Sequence, residues 1–509
     1  MLFRLRRGHQ LRDRRSGRAG ARPEPERAGV VILGAGMAGL SAAWTLERAG
    51  FRDYVVLELE PEPGGTARSG TGPVSPYPWG AHYVTAPAPG NRPMRALLEE
   101  VGAITGDDAA GRPVYAEDVL CREPAERVYF RGEWYQGLYP RVGASRAEID
   151  ELTRFERDMR RWAGYRDRAG RHGFTSPRAS GSDADELRAL DRMSMADLLD
   201  EGGYGSERLR WYVEYACRDD YGTTLAQTSA WAGVFYFAAR REHEDDDSAP
   251  FLTWPEGNGR LVRHLAELAG PRLRTGALVT DVRPGADRVE VSYEDASGEP
   301  RELTAPFAVF ALPRFLAKWL LAPYRERPPA HLAPVTYGTW MVANLTLRDR
   351  PYGYGFPLAW DNVLYASPSL GYVVATHQSG HDYGPTVLTY YLPLTDDDPD
   401  AARTRAMATT WHSWVEGIVA DLGPAHPGLA ELLTRVDVYL WGHAMVRPLP
   451  GLLWSPSLGR CAEPFGRLHF AHTDLSGMAL AEEAQYWGVR AAEAVLAGLG
   501  HRFSSWQAT

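Results

Sequence analysis

The segment GVVILGAGMAGLSAAWTLERAGFRDYVVLELE, residues 29–60, constrains the fold more than any other part of the chain. Its apolar run Val30 to Leu33 predicts a buried strand, and the spacing after Gly36 predicts a helix reaching about Ala49. A second strand, Tyr54 to Leu57, ends at an acid, Glu58. Between the first strand and the helix lies Gly34-Ala35-Gly36-Met37-Ala38-Gly39, in which each glycine has its own task. Gly34 makes the tight turn, Gly36 opens the backbone to a pyrophosphate, and Gly39 lets helix pack on strand. Glu58 falls about 20 residues past the loop, where a carboxylate accepts ribose hydroxyls. Strand, loop, helix, second strand and terminal acid together read as a dinucleotide-binding βαβ unit. An acid in that place repels a 2′-phosphate, so FAD or NAD is favoured over NADP.

The remainder of the composition fits an enzyme-sized chain. With 509 residues, 44% hydrophobic and 24% charged, two or three domains around substantial cores are expected. A net charge of −9 with no basic stripe argues against nucleic-acid binding. Lys318 is the only lysine, so a lysine-dependent mechanism has one candidate. The three cysteines, Cys121, Cys217 and Cys461, lie far apart without CxxC spacing, which fits a reducing compartment. No apolar run approaches the roughly 18 residues of a membrane span. Residues 1–28 are basic and poor in apolar residues; despite paired arginines they lack the apolar stretch of an export signal. A disordered leader and a cytoplasmic protein are the expectation.

After Glu58 comes LEPEPGGTARSG, with Leu59, the pair Gly64-Gly65, then Thr66 and Arg68. This resembles the second FAD signature of the flavin amine oxidase and phytoene desaturase superfamily, except that Thr66 stands where an arginine is usual and Arg68 takes over its work. Tyr77-Pro-Trp79-Gly80-Ala81-His82-Tyr83 resembles that superfamily's next flavin-contacting loop. Near the C-terminus, Phe470-Ala471-His472-Thr473-Asp474 resembles the stretch that closes over the flavin, with a helix starting near Ala479 and Leu480. The resemblance implies that Asp474 contacts the ribityl chain or pyrophosphate and that the helix N-terminus faces the flavin C2 carbonyl. In 252–313 it implies that the strand through Val279 and Val282 lays its backbone against the adenine. FAD, held without a covalent bond, is the implied cofactor.

The implied fold is α/β with α+β: a Rossmann-type FAD-binding domain carrying GxGxxG, interrupted by a substrate domain of mixed or antiparallel sheet and helices. Residues 29–85, 252–313 and 440–497 would form the first, 86–251 and 314–439 the second, and 498–509 a tail. A long amphipathic helix is expected over 147–165 and another around 401–422. Strands are expected in TWMVANLTL, LGYVVATHQ and TVLTYYLPL. The acidic runs 242–247 and 396–398 read as solvated loops.

Two parts of the amine-oxidising machinery of the family are missing. Val342 or a neighbour stands where a lysine is usual, and Ala444 and Leu480 stand where two aromatics often enclose the amine. His443, in LWGHAMVRPLPG, is the catalytic candidate: a general base near the flavin, a covalent attachment point, or a structural histidine. Arg218-Asp219-Asp220-Tyr221 either binds a polar or cationic substrate or caps helices. No metal site is expected. The chain therefore reads as an FAD-dependent oxidoreductase taking hydride from a small organic substrate at a C–N or C–C bond, with O2 or another acceptor. The alternatives are a non-redox flavin isomerase or mutase, and an FAD-binding protein within a complex. Oligomeric state is left open.

Overall fold

The computed structural model describes residues 2–4, 8, 24–239, 250–395 and 398–506. A five-stranded parallel sheet lies at its centre, in the order Leu273–Arg274, Tyr54–Leu57, Val30–Leu33, Phe307–Phe310, Leu468–Phe470. The middle three strands are buried at every residue. Such strands read as unbroken apolar runs because both faces of a parallel sheet are covered. On one face lie the helices Met37–Arg48, Gly259–Ala269 and Ala481–Gly498. The other face packs on a sheet made of Leu278–Pro284, Val289–Glu294 and Pro300–Ala305, joined at its edge by Glu26–Arg27.

Two helices meet unusually closely. A Cβ added at Gly488 would stand 2.2 Å from the Ala38 carbonyl oxygen and 2.9 Å from Ser41 Cβ. The alanine-rich sequence of 481–498 is thus the requirement of backbone contact with the Met37–Arg48 helix, whose N-terminus it helps to fix.

The second layer is an eight-stranded sheet built around Tyr337–Leu347, with Thr386–Leu394 and Leu433–Val446 antiparallel on either side. All eleven residues of Tyr337–Leu347 are buried, so its two faces serve different cores. Helices Arg146–Ala163, Glu207–Tyr221 and Ala230–Ala238 pack around Phe155, Leu209 and Trp231 as a separate cluster.

The structure departs from expectation in four places. Leu2–Arg4 pairs in parallel with 438–440 and Glu26–Arg27 with 303–304, so these parts of the leader are strands rather than disordered chain. The other leader residues, apart from Gly8 and 24–28, lie outside the described residues. The boundary at 440 falls inside Leu433–Val446, a strand kept continuous by pairing with 337–347. The helix at 401–422 is two, Pro399–Ala408 and Trp411–Leu422, because Thr410 adopts extended backbone and caps the second through Ser413 N–H. In LGYVVATHQ only Tyr372–Val374 is a strand, before a turn at His377–Ser379. The acidic run 242–247 lies outside the described residues. So do Asp396 and Asp397, whereas Asp398 caps the helix that follows. Among the described residues no helix is long and apolar enough to cross a membrane.

Gly488→Val should destabilise the protein by about 1–3 kcal/mol or more through overpacking. The midpoint of chemical unfolding checks this; an unchanged midpoint would contradict the close helix contact.

Candidate active site

The loop after the first strand is shaped by its glycines. Gly34 has φ +95°, and a Cβ there would meet Leu312 Cδ2 at 2.7 Å and the Ala311 oxygen at 2.9 Å. A Cβ at Gly39 would stand 1.9 Å from the Gly34 oxygen. Gly36 differs: an added Cβ would meet nothing within 4 Å, because this position faces a cavity. The helix N-terminus beyond it has no side-chain cap and no acid in its first turn. Its N–H groups are therefore suited to an anion.

Glu58 fixes this loop. Its Oε2 accepts from Ala35 N–H at 2.8 Å and its Oε1 from Glu60 N–H at 2.9 Å. Burial pushes its carboxyl pKa up, against the pull of these two donors. Gly64 N–H donates to the Ala35 oxygen at 2.8 Å, bringing the second glycine pair against the first loop. Gly65–Ala67 makes a single 3-10 turn, and the Thr66 oxygen accepts from Ala81 N–H at 3.0 Å. A Cβ at Gly80 would stand 2.3 Å from that oxygen, so only glycine permits the approach. The Arg68 guanidinium lies 5.0 Å over the Tyr439 ring and 3.7 Å from Glu60.

The C-terminal turn closes the opposite wall. Asp474 is fully buried; its Oδ2 accepts from Arg314 N–H at 2.7 Å and from the Tyr337 hydroxyl. Burial opposes its ionisation, but the His472 charge 2.9 Å away, the Tyr337 hydroxyl and Arg314 N–H outweigh it and hold the pKa below the ordinary value. Asp474 Oδ1 has no donor in hydrogen-bond geometry among the described residues. That oxygen lies 2.9 Å from His472 Nδ1 on the cavity wall, where a cofactor hydroxyl would be a further partner. The final helix begins at Ala481 with Leu480 as its uncapped N-cap, near the expected start. Its first turn carries Glu482 and Glu483, and Glu483 is directed to Arg178 N–H at 2.5 Å.

These parts enclose one cavity of about 960 Å³. Of the expected site residues, Gly34, Gly36, Met37, Ala38, Glu58, Leu59, Gly64, Gly65, Thr66, Arg68, Gly80, Ala81, His82, His443, Asp474, Ala479 and Leu480 line it. Three do not. Gly39 acts within the helix–strand contact. Trp79 is buried between Tyr77 and Tyr439, with its carbonyl oxygen accepting from Trp441 Nε1 at 2.6 Å. Val279 lies buried in the adjoining sheet, and it is Ala277 N–H that bonds the Glu58 oxygen, at 2.7 Å.

Other wall residues were not foreseen: Leu312, Pro313, Phe315, Tyr337, Trp340, Tyr391 and Trp441. Several come from the eight-stranded sheet, where register rather than sequence motif decides which side chains face the cavity. Val342 lines the wall, and so does Lys318, from the segment after Pro313. Ala444 and Leu480 line it too, and Trp340, Tyr391 and Trp441 supply rings from other positions. His443 stacks on Phe315, centroids 4.1 Å apart, with Tyr337 edge-on at 5.7 Å. The mid-chain cluster divides. Asp219 and Asp220 face the cavity, whereas Arg218 bonds the Pro368 carbonyl and Tyr221 the Ala232 carbonyl. Among the described residues no group of three or more His, Cys, Asp or Glu could hold a metal ion.

A glycine-bordered helix N-terminus, an acid-ended strand and a buried carboxylate on one cavity fit a dinucleotide such as FAD. The chain belongs to the flavin containing amine oxidoreductase family, whose model matches residues 37–496. Its fold is similar to that of putrescine oxidase solved with putrescine bound, at 17% identity, covering 93% of this chain and 100% of that one, with a TM-score of 0.66. Cyclohexylamine oxidase from Brevibacterium oxydans is similar at 17% identity, covering 93% and 99% of the two chains, with a TM-score of 0.64. Oxidoreductase PigB of a Serratia species is 24% identical over 270 residues, 49% of this chain but only 38% of that protein.

Glu58→Ala should lower FAD affinity by roughly 10-fold, since it removes two loop hydrogen bonds of about 0.5–1.5 kcal/mol each. Flavin retention on gel filtration checks this; wild-type retention would contradict the role given to Glu58. Asp474 also makes a pH prediction. Its folded pKa is depressed, so its stabilisation is present above the ordinary 3.8 and is lost as pH falls through the folded value. The stability gap between wild type and Asp474→Asn should therefore shrink on acidification below about pH 4. A gap independent of pH would contradict it.

Proposed function

We propose that this chain oxidises a C–N bond of a small amine, using non-covalently held FAD. The observation that carries the reading is that one cavity is bordered by both the cofactor-fitting loops and a pair of acids, Asp219 and Asp220, among aromatic rings. Carboxylates on the cavity wall would attract an ammonium group, and the rings of Trp340 and Tyr391 would add favourable faces for it. FAD, when bound, supplies the hydride acceptor and passes two electrons to dioxygen or another oxidant. The substrate carbon loses hydride, its nitrogen loses a proton, and the imine so formed is open to hydrolysis.

The residues hold the reaction in place. Gly36, Met37 and Ala38 would hold the pyrophosphate, Glu58 a ribose, and Asp474 Oδ1 a ribityl hydroxyl. Val342, Leu440 and Ala444 present apolar surface and exclude water from the wall. His443, its ring plane set by Phe315, is the group proposed to accept a proton. A division of labour follows, in which 29–85, 252–313 and 447–497 serve the cofactor and 86–251 and 314–446 the substrate. A second reading, oxidation of a C–C bond, is favoured by the apolar Val342 in the lysine's place.

Anaerobic mixing of the holoenzyme with primary amines should bleach the flavin, with aldehyde and ammonia as products. Bleaching only by uncharged substrates that gain a C=C bond would establish the second reading instead. His443→Ala should lower the rate of bleaching by about 100-fold while FAD stays bound; an unchanged rate would remove His443 from proton transfer.

A further inference from the structure

Two residues past the strand Leu468–Phe470 comes His472, whose ring is part of the main cavity wall. Leu33, Phe310 and Phe470 stand level on three neighbouring parallel strands. His472 is therefore at the same sheet edge as the Gly34–Gly39 loop, two strand spacings or roughly 10 Å away. Ligands of open parallel sheets lie in the crevice outside such strand ends. The uncapped N-terminus of the Met37–Arg48 helix borders this crevice from one side and His472 from the other.

The ring is oriented by its own turn. Nδ1 accepts from Asp474 N–H at 3.2 Å, and the Thr473 hydroxyl stands 3.4 Å from it. With Nδ1 used in this way the proton of a neutral ring is on Nε2, and a charged ring carries one there as well. Nε2 is thus a donor in either form. No group among the described residues bonds it, and the side chain keeps 24% of its surface accessible. Behind the ring, Asp474 Oδ1 lies 2.9 Å from Nδ1, while the other oxygen of that carboxylate is held by Arg314 N–H and the Tyr337 hydroxyl. Three separate segments of the chain therefore fix where the donor points.

Electrostatics says what the donor is for. A dinucleotide brings its phosphate charges to a wall that already carries Asp474, a completely buried carboxylate. Other basic groups on this wall are engaged elsewhere. Arg68 is directed to Glu60 and the Tyr439 hydroxyl, and Arg403 to Asp400 and the Gly442 oxygen. Lys318 lies over the exposed ring of Trp319. His472 stands between the buried carboxylate and the open cavity, with an N–H to offer an anion.

We propose that His472 is a cofactor-binding residue, whose Nε2–H donates to an anionic oxygen of the FAD pyrophosphate while Asp474 positions the ring. This rests on the reading of the cavity as the FAD site, which FAD binding by the wild type tests by itself.

The probes are FAD and ADP, the second carrying the adenosine and a diphosphate without the flavin. Binding to full-length apoprotein is read by flavin fluorescence for FAD and by displacement of FAD for ADP. His472→Ala should weaken both by about 10-fold or more, the scale of one hydrogen bond to a charged group. His472→Gln, which keeps an N–H donor, should recover most of the loss. Unchanged FAD affinity in His472→Ala overturns the proposal and leaves the FAD site standing. A loss for FAD with none for ADP assigns the donor to the flavin half and overturns it too, as does a glutamine variant no better than alanine. Should the alanine variant not fold, the wild type decides. Saturating ADP should shield His472 from carbethoxylation by diethyl pyrocarbonate, read by mass spectrometry on its peptide, and unchanged labelling overturns the proposal.

Discussion

The hydrogen bond from Ala35 N–H to the Glu58 carboxylate is the contact on which the site depends. It joins the crest of the first loop to the end of the second strand, so two parallel strands and a helix N-terminus keep one geometry. Around that fixed point the Gly64-Gly65 turn is hung by its own bond to Ala35, and the Gly80-Ala81 segment by its bond to Thr66. Each step places backbone, not side chain, toward the cavity. Glycine is required wherever two backbones meet, and open where a cofactor would approach.

The eight-stranded sheet is tied to this frame by polar contacts at the same loops. The Tyr391 hydroxyl donates to the Gly80 oxygen at 2.8 Å, and Asn344 Nδ2 to the Pro78 oxygen at 3.1 Å. Trp441 Nε1 reaches the Trp79 oxygen, and Tyr337 reaches Asp474. Buried polar groups need such partners, so each contact fixes the position of the loop as well as satisfying an atom. The segment expected to lie against the flavin is thereby held from the substrate side. Any guest in the aromatic end of the cavity consequently meets residues whose places are set by the cofactor loops.

The cofactor side of the site was legible in the sequence because it is written in local chemistry. The spacing from Gly34 to Glu58 and the turn at Asp474 carry their geometry within short segments. The substrate side was not. Tyr337–Leu347 is buried on both faces, so no alternation shows which residues face the cavity, and Trp340 and Val342 are distinguished only by register. Glu126 and Asp361 are 235 positions apart and meet only through strand pairing. Trp79 and Val279 were assigned from family resemblance, and both are buried beside the cavity rather than on its wall. Trp340, Tyr391 and Trp441 bring rings to the cavity from three different strands.

The central claim, that this cavity holds FAD without a covalent link, is tested most directly by one spectrum. The protein is purified in its native state, its visible absorbance is recorded, and the supernatant is read again after acid precipitation. The account predicts a flavin spectrum in the native protein and a yellow supernatant containing FAD. A colourless protein that does not take up added FAD would contradict it, and colour remaining in the pellet would contradict the non-covalent link and place the bond at the cavity wall, where His443 stands.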